Sequence, residues 1–287
     1  MNITATMVKE LRDKTGAGMM DAKKALVEVD GDMEKAMDVL RQKGMASADK
    51  KMGRIAAEGR IGSFVNETVG AMIEVNCETD FVAKNAEFIE LTNGLAQMVA
   101  ETNPADVDAL LASVCPKCNK PIADVIKEKI ASIGEKITVR RFVRYEGNVA
   151  TYIHNGKIGV LLNTDAKDEV LAKDVCLHIA SSAPEFISRK DIPAHVIEEE
   201  TRIEMGKEDL AKKPEQIRAK IVEGRVNKLM AHRCLVEQPF VKNPEQTIEQ
   251  LISGKFNIVK FDRFVLGEGL EKRNDNFADE VMSQLGK

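Results

Sequence analysis

The chain has 287 residues, 44% hydrophobic and 31% charged, which is enough to bury at least one sizeable core and suggests about two domains. Forty-two basic against 46 acidic residues leave a formal net charge of -4 and a pI near 5.8, a balance that argues against a primary nucleic-acid binder. No apolar run approaches the roughly 20 residues needed to span a bilayer, the start Met1-Asn2-Ile3-Thr4 lacks the regions of a signal peptide, and five cysteines form an odd, sparse set that suits reduced thiols, so a cytoplasmic location is expected.

From the start, Met7, Val8 and Leu11 fall at helical spacing with Thr4 as N-cap, and Gly16 and Gly18 break that helix. A second amphipathic segment spans residues 19–29, and a third, residues 32–43, carries Met33, Ala36, Met37 and Leu40 on one stripe before Gly44. Three short helices make a bundle of about 45 residues, small for independent stability, so docking to a neighbour is expected. Met19 and Met20 are about 100° apart on a helix, so one of them is expected to be exposed, as an adaptable contact. Residues 46–60 read as a helix end plus linker.

Beyond residue 60 the texture changes. Residues 60–65 and 70–77 read as paired strands around an Asn66-Glu67-Thr68 turn, because β-branched and aromatic residues replace helical periodicity. The turn Thr79-Asp80-Phe81-Val82 follows, with two readings. By physics alone Asp80 caps the next helix and Phe81 is a core residue; alternatively, an exposed Phe81 is an anchor for another protein. Helical patterns run over residues 87–101, 105–114 and 122–133.

The second half repeats the first. Glu146-Gly147-Asn148-Val149-Ala150-Thr151-Tyr152-Ile153-His154 matches Glu58-Gly59-Arg60-Ile61-Gly62-Ser63-Phe64-Val65-Asn66, and Gly159-Val160-Leu161-Leu162 matches Gly70-Ala71-Met72-Ile73, about 88 residues apart. Each copy leads into a helix, so the core is expected to be an α+β pseudo-dimer. Between residues 184 and 235 the strand signal disappears; charged helical patterns over 193–207 and 214–229 read as an inserted antiparallel helical hairpin. The chain returns with Gln238-Pro239-Phe240-Val241, a helix near residues 247–252, a strand over 257–266 and a closing helix over 276–285. The expected division is 1–55 (helical bundle), 56–145 (first core subdomain), 146–183 with 235–267 (second core subdomain), 184–234 (hairpin) and 268–287 (C-terminal module).

Catalytic chemistry has little support. The histidines at 154, 178, 195 and 232 lie in separate segments without a nucleophile at suitable spacing, and His178, on an apolar helix face, reads as a satisfied core or boundary histidine. No phosphate-binding Gly-Lys-Ser/Thr loop occurs, so neither a catalytic residue nor a cofactor is expected. Cys115-Pro116-Lys117-Cys118 is the one sharp motif. As a zinc site it holds half of the four ligands, so no metal site is assigned, and the pair reads as reduced thiols in a helix-helix loop; a thiol or zinc protein, or a general helical scaffold, are the competing classes.

Leu11-Arg12-Asp13-Lys14-Thr15-Gly16-Ala17-Gly18-Met19-Met20-Asp21-Ala22-Lys23-Lys24-Ala25-Leu26 and Glu74-Val75-Asn76-Cys77-Glu78-Thr79-Asp80-Phe81-Val82-Ala83, with the ending Phe264-Val265-Leu266-Gly267-Glu268-Gly269-Leu270-Glu271-Lys272, closely resemble bacterial elongation factor Ts over essentially the whole chain. The resemblance implies a guanine nucleotide exchange factor for elongation factor Tu, without covalent chemistry, cofactor, membrane or direct nucleic-acid contact. It implies that the N-terminal bundle is ubiquitin-associated-like and docks on the partner through Arg12, Met19, Met20 and Lys23, and that Thr79, Asp80, Phe81 and Val82 disturb the partner's magnesium site. His154 and Val241 would be further contacts, and the hairpin can support a homodimer. The Cys115 and Cys118 pair is not part of the family pattern.

Overall fold

Thr4 caps the first helix, α1 (Ala5–Thr15), by accepting from Met7 N–H at 3.3 Å, as expected from the sequence. The computed structural model describes residues 3–210 and 213–271; the expected closing helix over 276–285 lies outside them. Helix α2 (Met19–Glu28) follows Gly18, and α3 (Met33–Lys51) is capped by Asp32, whose carboxylate accepts from Lys35 N–H at 3.1 Å. Val8, Leu11, Ala22, Ala25, Leu26 and Ala36 close a small apolar core among the three.

Gly44 does not end α3, contrary to the sequence expectation, and the helix runs on to Lys51, within the stretch read as a helix end plus linker. The reason lies on α7 (Ile122–Ile133): a Cβ added to Gly44 would stand 2.8 Å from Ala131 Cβ. The glycine admits a close helix-helix approach rather than a chain break. Lys127 on α7 pairs with Asp49 on α3 at 2.9 Å.

Strands β1 (Glu58–Val65) and β2 (Val69–Cys77) meet at a turn where Asn66 N–H donates to Val69 O at 2.9 Å. All nine residues of β2 are buried, Glu74 and Asn76 included, as in a central strand covered on both faces. The four-residue α4 (Asp80–Ala83) leads to α5 (Ala86–Thr102), capped by Asn85 and buried along Phe88, Thr92, Leu95, Ala96 and Val99. After α6 (Val107–Ala112) comes a ribbon unforeseen from the sequence, β3 (Val114–Cys115) paired antiparallel with β4 (Lys120–Pro121), so the cysteine pair sits at a hairpin tip and not in a plain helix-helix loop. Helix α7 then leads to β5 (Thr138–Glu146), which joins β1 and β2 in a sheet of order β1-β2-β5.

The second set repeats this order: β6 (Asn148–His154), β7 (Ile158–Thr164) and α8 (Glu169–Ser182), with Asp168 as N-cap. The excursion α9 (Ala194–Met205) and α10 (Glu215–Arg233) forms the expected helical hairpin with its own small core of Ile192, Leu210, Val222, Val226, Met230 and Cys234. The chain returns through β8 (Pro239–Phe240), β9 (Asn243–Thr247), α11 (Ile248–Ile252) and β10 (Ile258–Val265), giving the order β10-β7-β6. In each three-stranded sheet the second strand of a hairpin is central and the later strand flanks it, which is the expected α+β duplication.

The chain divides into two compact units. One holds the described residues up to Ser63, Ile73–Phe142 and those from Val265 on; the other holds Phe64–Met72 and Val143–Phe264. In the first, the Glu74 carboxylate is fully buried yet accepts from Arg140 Nη1 at 3.0 Å, Arg141 Nε at 2.7 Å and Gly267 N–H at 2.9 Å. Burial alone would raise its pKa, but these donors hold it below the ordinary carboxylate range. In the second, Val160 and Leu162 of β7 pack with Leu171, Val175 and Ile179 of α8 and with Phe240, Ile248 and Phe256.

Candidate functional site

The turn after β2 is clamped by a carboxylate that the sequence did not single out. Helix α7 ends at Gly134, in the left-handed region at φ 90, and the next residue, Glu135, reaches the turn. Its Oε2 accepts from the N–H groups of Glu78 and Thr79 at 3.1 and 2.9 Å, and its Oε1 accepts from the Thr79 hydroxyl at 2.6 Å. In return, Glu78 Oε1 accepts from Lys136 N–H at 2.7 Å, and Arg54 Nη1 lies 3.2 Å from the same carboxylate. One signal was available: an acid directly after a helix C-terminus opposes the helix dipole, so it needs a tertiary partner.

Thr79, not Asp80, caps the short helix, with extended φ and ψ and its hydroxyl 3.4 Å from Val82 N–H. Asp80 is the first helical residue, where its charge suits the N-terminus, and it meets Lys84 Nζ at 2.6 Å. Ala83 is buried beneath the turn. Phe81 is 82% exposed, which overturns the core reading of this residue. The cause is the spacing of two caps: Thr79 starts one helical turn and Asn85, accepting from Glu87 N–H at 2.8 Å, starts α5, so α4 is too short to bring Phe81 round to the core. The result is a large apolar ring on a hydrogen-bonded pedestal.

Also in the first unit, α2 buries Ala22, Ala25 and Leu26 and turns its opposite face to solvent. Met19 is 46% and Met20 63% exposed, so both methionines are open where one was expected; both precede the first buried position of the helix. Lys23 shares their face, and so does Val27, 56% exposed, a residue missed in sequence although it stands seven positions after Met20. Arg12 is exposed on α1, paired with Asp13 at 2.9 Å.

His154 and Val241 belong to the second unit. His154 is exposed at the end of β6, with Nδ1 3.1 Å from the Tyr152 hydroxyl and the two rings stacked. Val241, 42% exposed, is placed by His178: Val241 N–H donates to His178 Nδ1 at 3.2 Å, and His178 Nε2 lies 2.9 Å from Gln238 Oε1. Accepting at Nδ1 assigns the neutral Nε2–H tautomer, and burial lowers the pKa of this histidine below 6.5. It is the satisfied core histidine expected from the sequence, with the added task of holding the Val241 turn.

No group of three or more His, Cys, Asp or Glu among the described residues could hold a metal ion, and no described helix is long and apolar enough to cross a membrane. The geometry offers contact surfaces: an aromatic tip on a clamped turn, and a methionine-rich helix face.

Comparison with known proteins gives one consistent result. A family model described as Elongation factor TS matches residues 78–268. Proteins named Elongation factor Ts from Alkalilimnicola ehrlichii and Leuconostoc mesenteroides are each 48% identical, over 290 and 292 residues; the first alignment covers 99% of both chains and the second 100% of both. The protein of that name from Syntrophotalea carbinolica is 46% identical over 300 residues, again covering 99% of each.

Proposed function

The chain belongs to the elongation factor Ts family, and on that basis we propose that it is a guanine nucleotide exchange factor that binds elongation factor Tu in its GDP-bound and nucleotide-free forms and speeds GDP release. The observation that carries the reading is Phe81, exposed on a turn that Glu135 holds by three hydrogen bonds. Inserted beside the partner's nucleotide site, Phe81 displaces the loops that support the magnesium ion there. Magnesium demands near-ideal octahedral geometry, so a small displacement weakens its hold on the phosphates. No bond is made or broken.

In this reading Thr79 and Val82 shape the turn, Asp80 presents charge beside the ring, and Met19, Met20 and Lys23, with Arg12, dock the N-terminal helices on the partner. Exposed methionines adapt to a partner's contour, which supports that assignment. His154 and Val241 supply contacts from the second unit, and the helical hairpin supports self-association. The parts so engaged follow the division 1–55, 56–145, 146–183 with 235–267, 184–234 and 268–287, and the place of action is the cytoplasm. A hundredfold weakening of nucleotide binding requires about 2.8 kcal/mol of coupling free energy. Coupling is reciprocal, so incoming nucleotide weakens exchange-factor binding by the same factor and releases it.

The test is release of fluorescent GDP from elongation factor Tu with and without this chain. Acceleration that rises and saturates with chain concentration supports the reading; release at the intrinsic rate at all concentrations rejects it.

A further inference from the structure

The hairpin tip between β3 and β4 is not used by the exchange reading, yet it is built around two sulfurs. The ladder pairs Val114 with Pro121 and Cys115 with Lys120, and the turn closes through Asn119 N–H to Cys115 O at 2.8 Å, with Asn119 at a left-handed φ of 52. Cys115 and Cys118 are thus the first and fourth residues of a five-residue α-turn closed by that bond, a single helical turn of chain that brings their Cα atoms within about 7 Å, the range a disulfide spans. The base of the ribbon is closed by Ile122 N–H donating to Ser113 O at 2.9 Å.

We propose that Cys115 and Cys118 form a thiol–disulfide exchange site for low-molecular-weight disulfides, with Cys115 as the attacking thiol and Cys118 as the resolving one. Cys118 is exposed and Cys115 half-buried, while Cys77, Cys176 and Cys234 are buried. Slight burial by itself raises the Cys115 thiol, but the hydrogen bond from Cys118, the backbone N–H groups of Lys117 and Cys118 and the Lys117 charge outweigh it and hold Cys115 below the ordinary thiol range. That same hydrogen bond pushes Cys118 up, and burial pushes Cys77 up to about 12. Structural zinc takes four ligands, and no third His, Cys, Asp or Glu among the described residues joins this pair, so exchange is favoured over metal binding.

The reaction balances without a further oxidant. Cys115 loses its proton to solvent and attacks one sulfur of the disulfide; that S–S bond breaks, and the leaving thiolate takes a proton. Cys118, deprotonated in turn, attacks Cys115 Sγ in the mixed disulfide, forming the intramolecular bond and expelling the second thiolate. Two protein thiols are oxidised, and one small disulfide is reduced to two thiols.

The experiment treats the full chain with glutathione disulfide and follows intact mass and cysteine-containing peptides without reduction, with circular dichroism as the check on folding. Wild type is expected to become lighter by two hydrogens, linked between Cys115 and Cys118, and to revert with dithiothreitol. Cys118→Ser should stop as a glutathione adduct on Cys115, and Cys115→Ser should react at least about tenfold more slowly. Equal rates in the two folded variants, an adduct confined to the buried cysteines, or wild-type thiols that stay unreactive because they hold stoichiometric zinc would each overturn the proposal.

Discussion

Replacing Phe81 by alanine tests recognition apart from folding. The ring is 82% exposed, so its removal takes little from the protein's own stability, and the unfolding midpoint should stay within about 0.5 kcal/mol of wild type. In the proposed complex that exposed fraction becomes buried. Full burial of a Phe side chain is worth about 1.5 to 3 kcal/mol, and 82% of that is roughly 1.2 to 2.5 kcal/mol. At about 1.4 kcal/mol per decade, Phe81→Ala should lower stimulated GDP release roughly 7- to 60-fold. Stopped-flow release of fluorescent GDP from elongation factor Tu measures this directly, and Phe81→Leu, which keeps apolar bulk, should fall between the two. Wild-type release by a folded Phe81→Ala protein refutes the wedge.

Other outcomes follow from the same geometry. Glu135→Ala leaves Phe81 in the chain but removes the acceptor for two N–H groups and a hydroxyl, so exchange should fall and stability drop by about 1.5 to 3 kcal/mol; unchanged exchange would show that the clamp is dispensable. Met20→Ala should weaken complex formation with no change in unfolding, and an unaltered dissociation constant would remove the α2 face from the interface. Glu74→Gln leaves Arg140 and Arg141, which keep 23% and 30% of their side-chain surface accessible, facing a neutral amide, so the urea midpoint should fall by the equivalent of about 1.5 to 3 kcal/mol; a wild-type midpoint would contradict the pairing. His178 has a folded pKa below 6.5, so as pH falls through 6.5 the unfolded chain takes up a proton that the folded chain refuses. Its stability effect is therefore favourable above that pH and fades below it, and a His178→Gln protein should lose less stability between pH 7 and 5.5 than wild type does.

Caps and periodicity carried most of the fold because they act within a few residues. Thr4, Asp32, Asn85 and Asp168 each hold an N–H two or three positions ahead, so α1, α3, α5 and α8 start where short-range chemistry places them. Register matching between residues 58–66 and 146–154 foretold two related hairpins, since a repeated side-chain pattern asks for a repeated packing solution. Gly44 misled because its close neighbour, Ala131, is 87 residues away by numbering and invisible to a local window.

Phe81 shows the same division in the candidate site. Sequence alone determined that a large apolar residue sits beside an acid at a strand-to-helix corner, and the two long motifs tied that corner to a family. Whether the ring faced the core or the solvent was undetermined, because exposure depends on what surrounds the turn. The tertiary structure decided it: Glu135 arrives from the far end of α7 and fixes the backbone of Glu78 and Thr79, and on that anchored turn the short helix between the Thr79 and Asn85 caps leaves Phe81 outward.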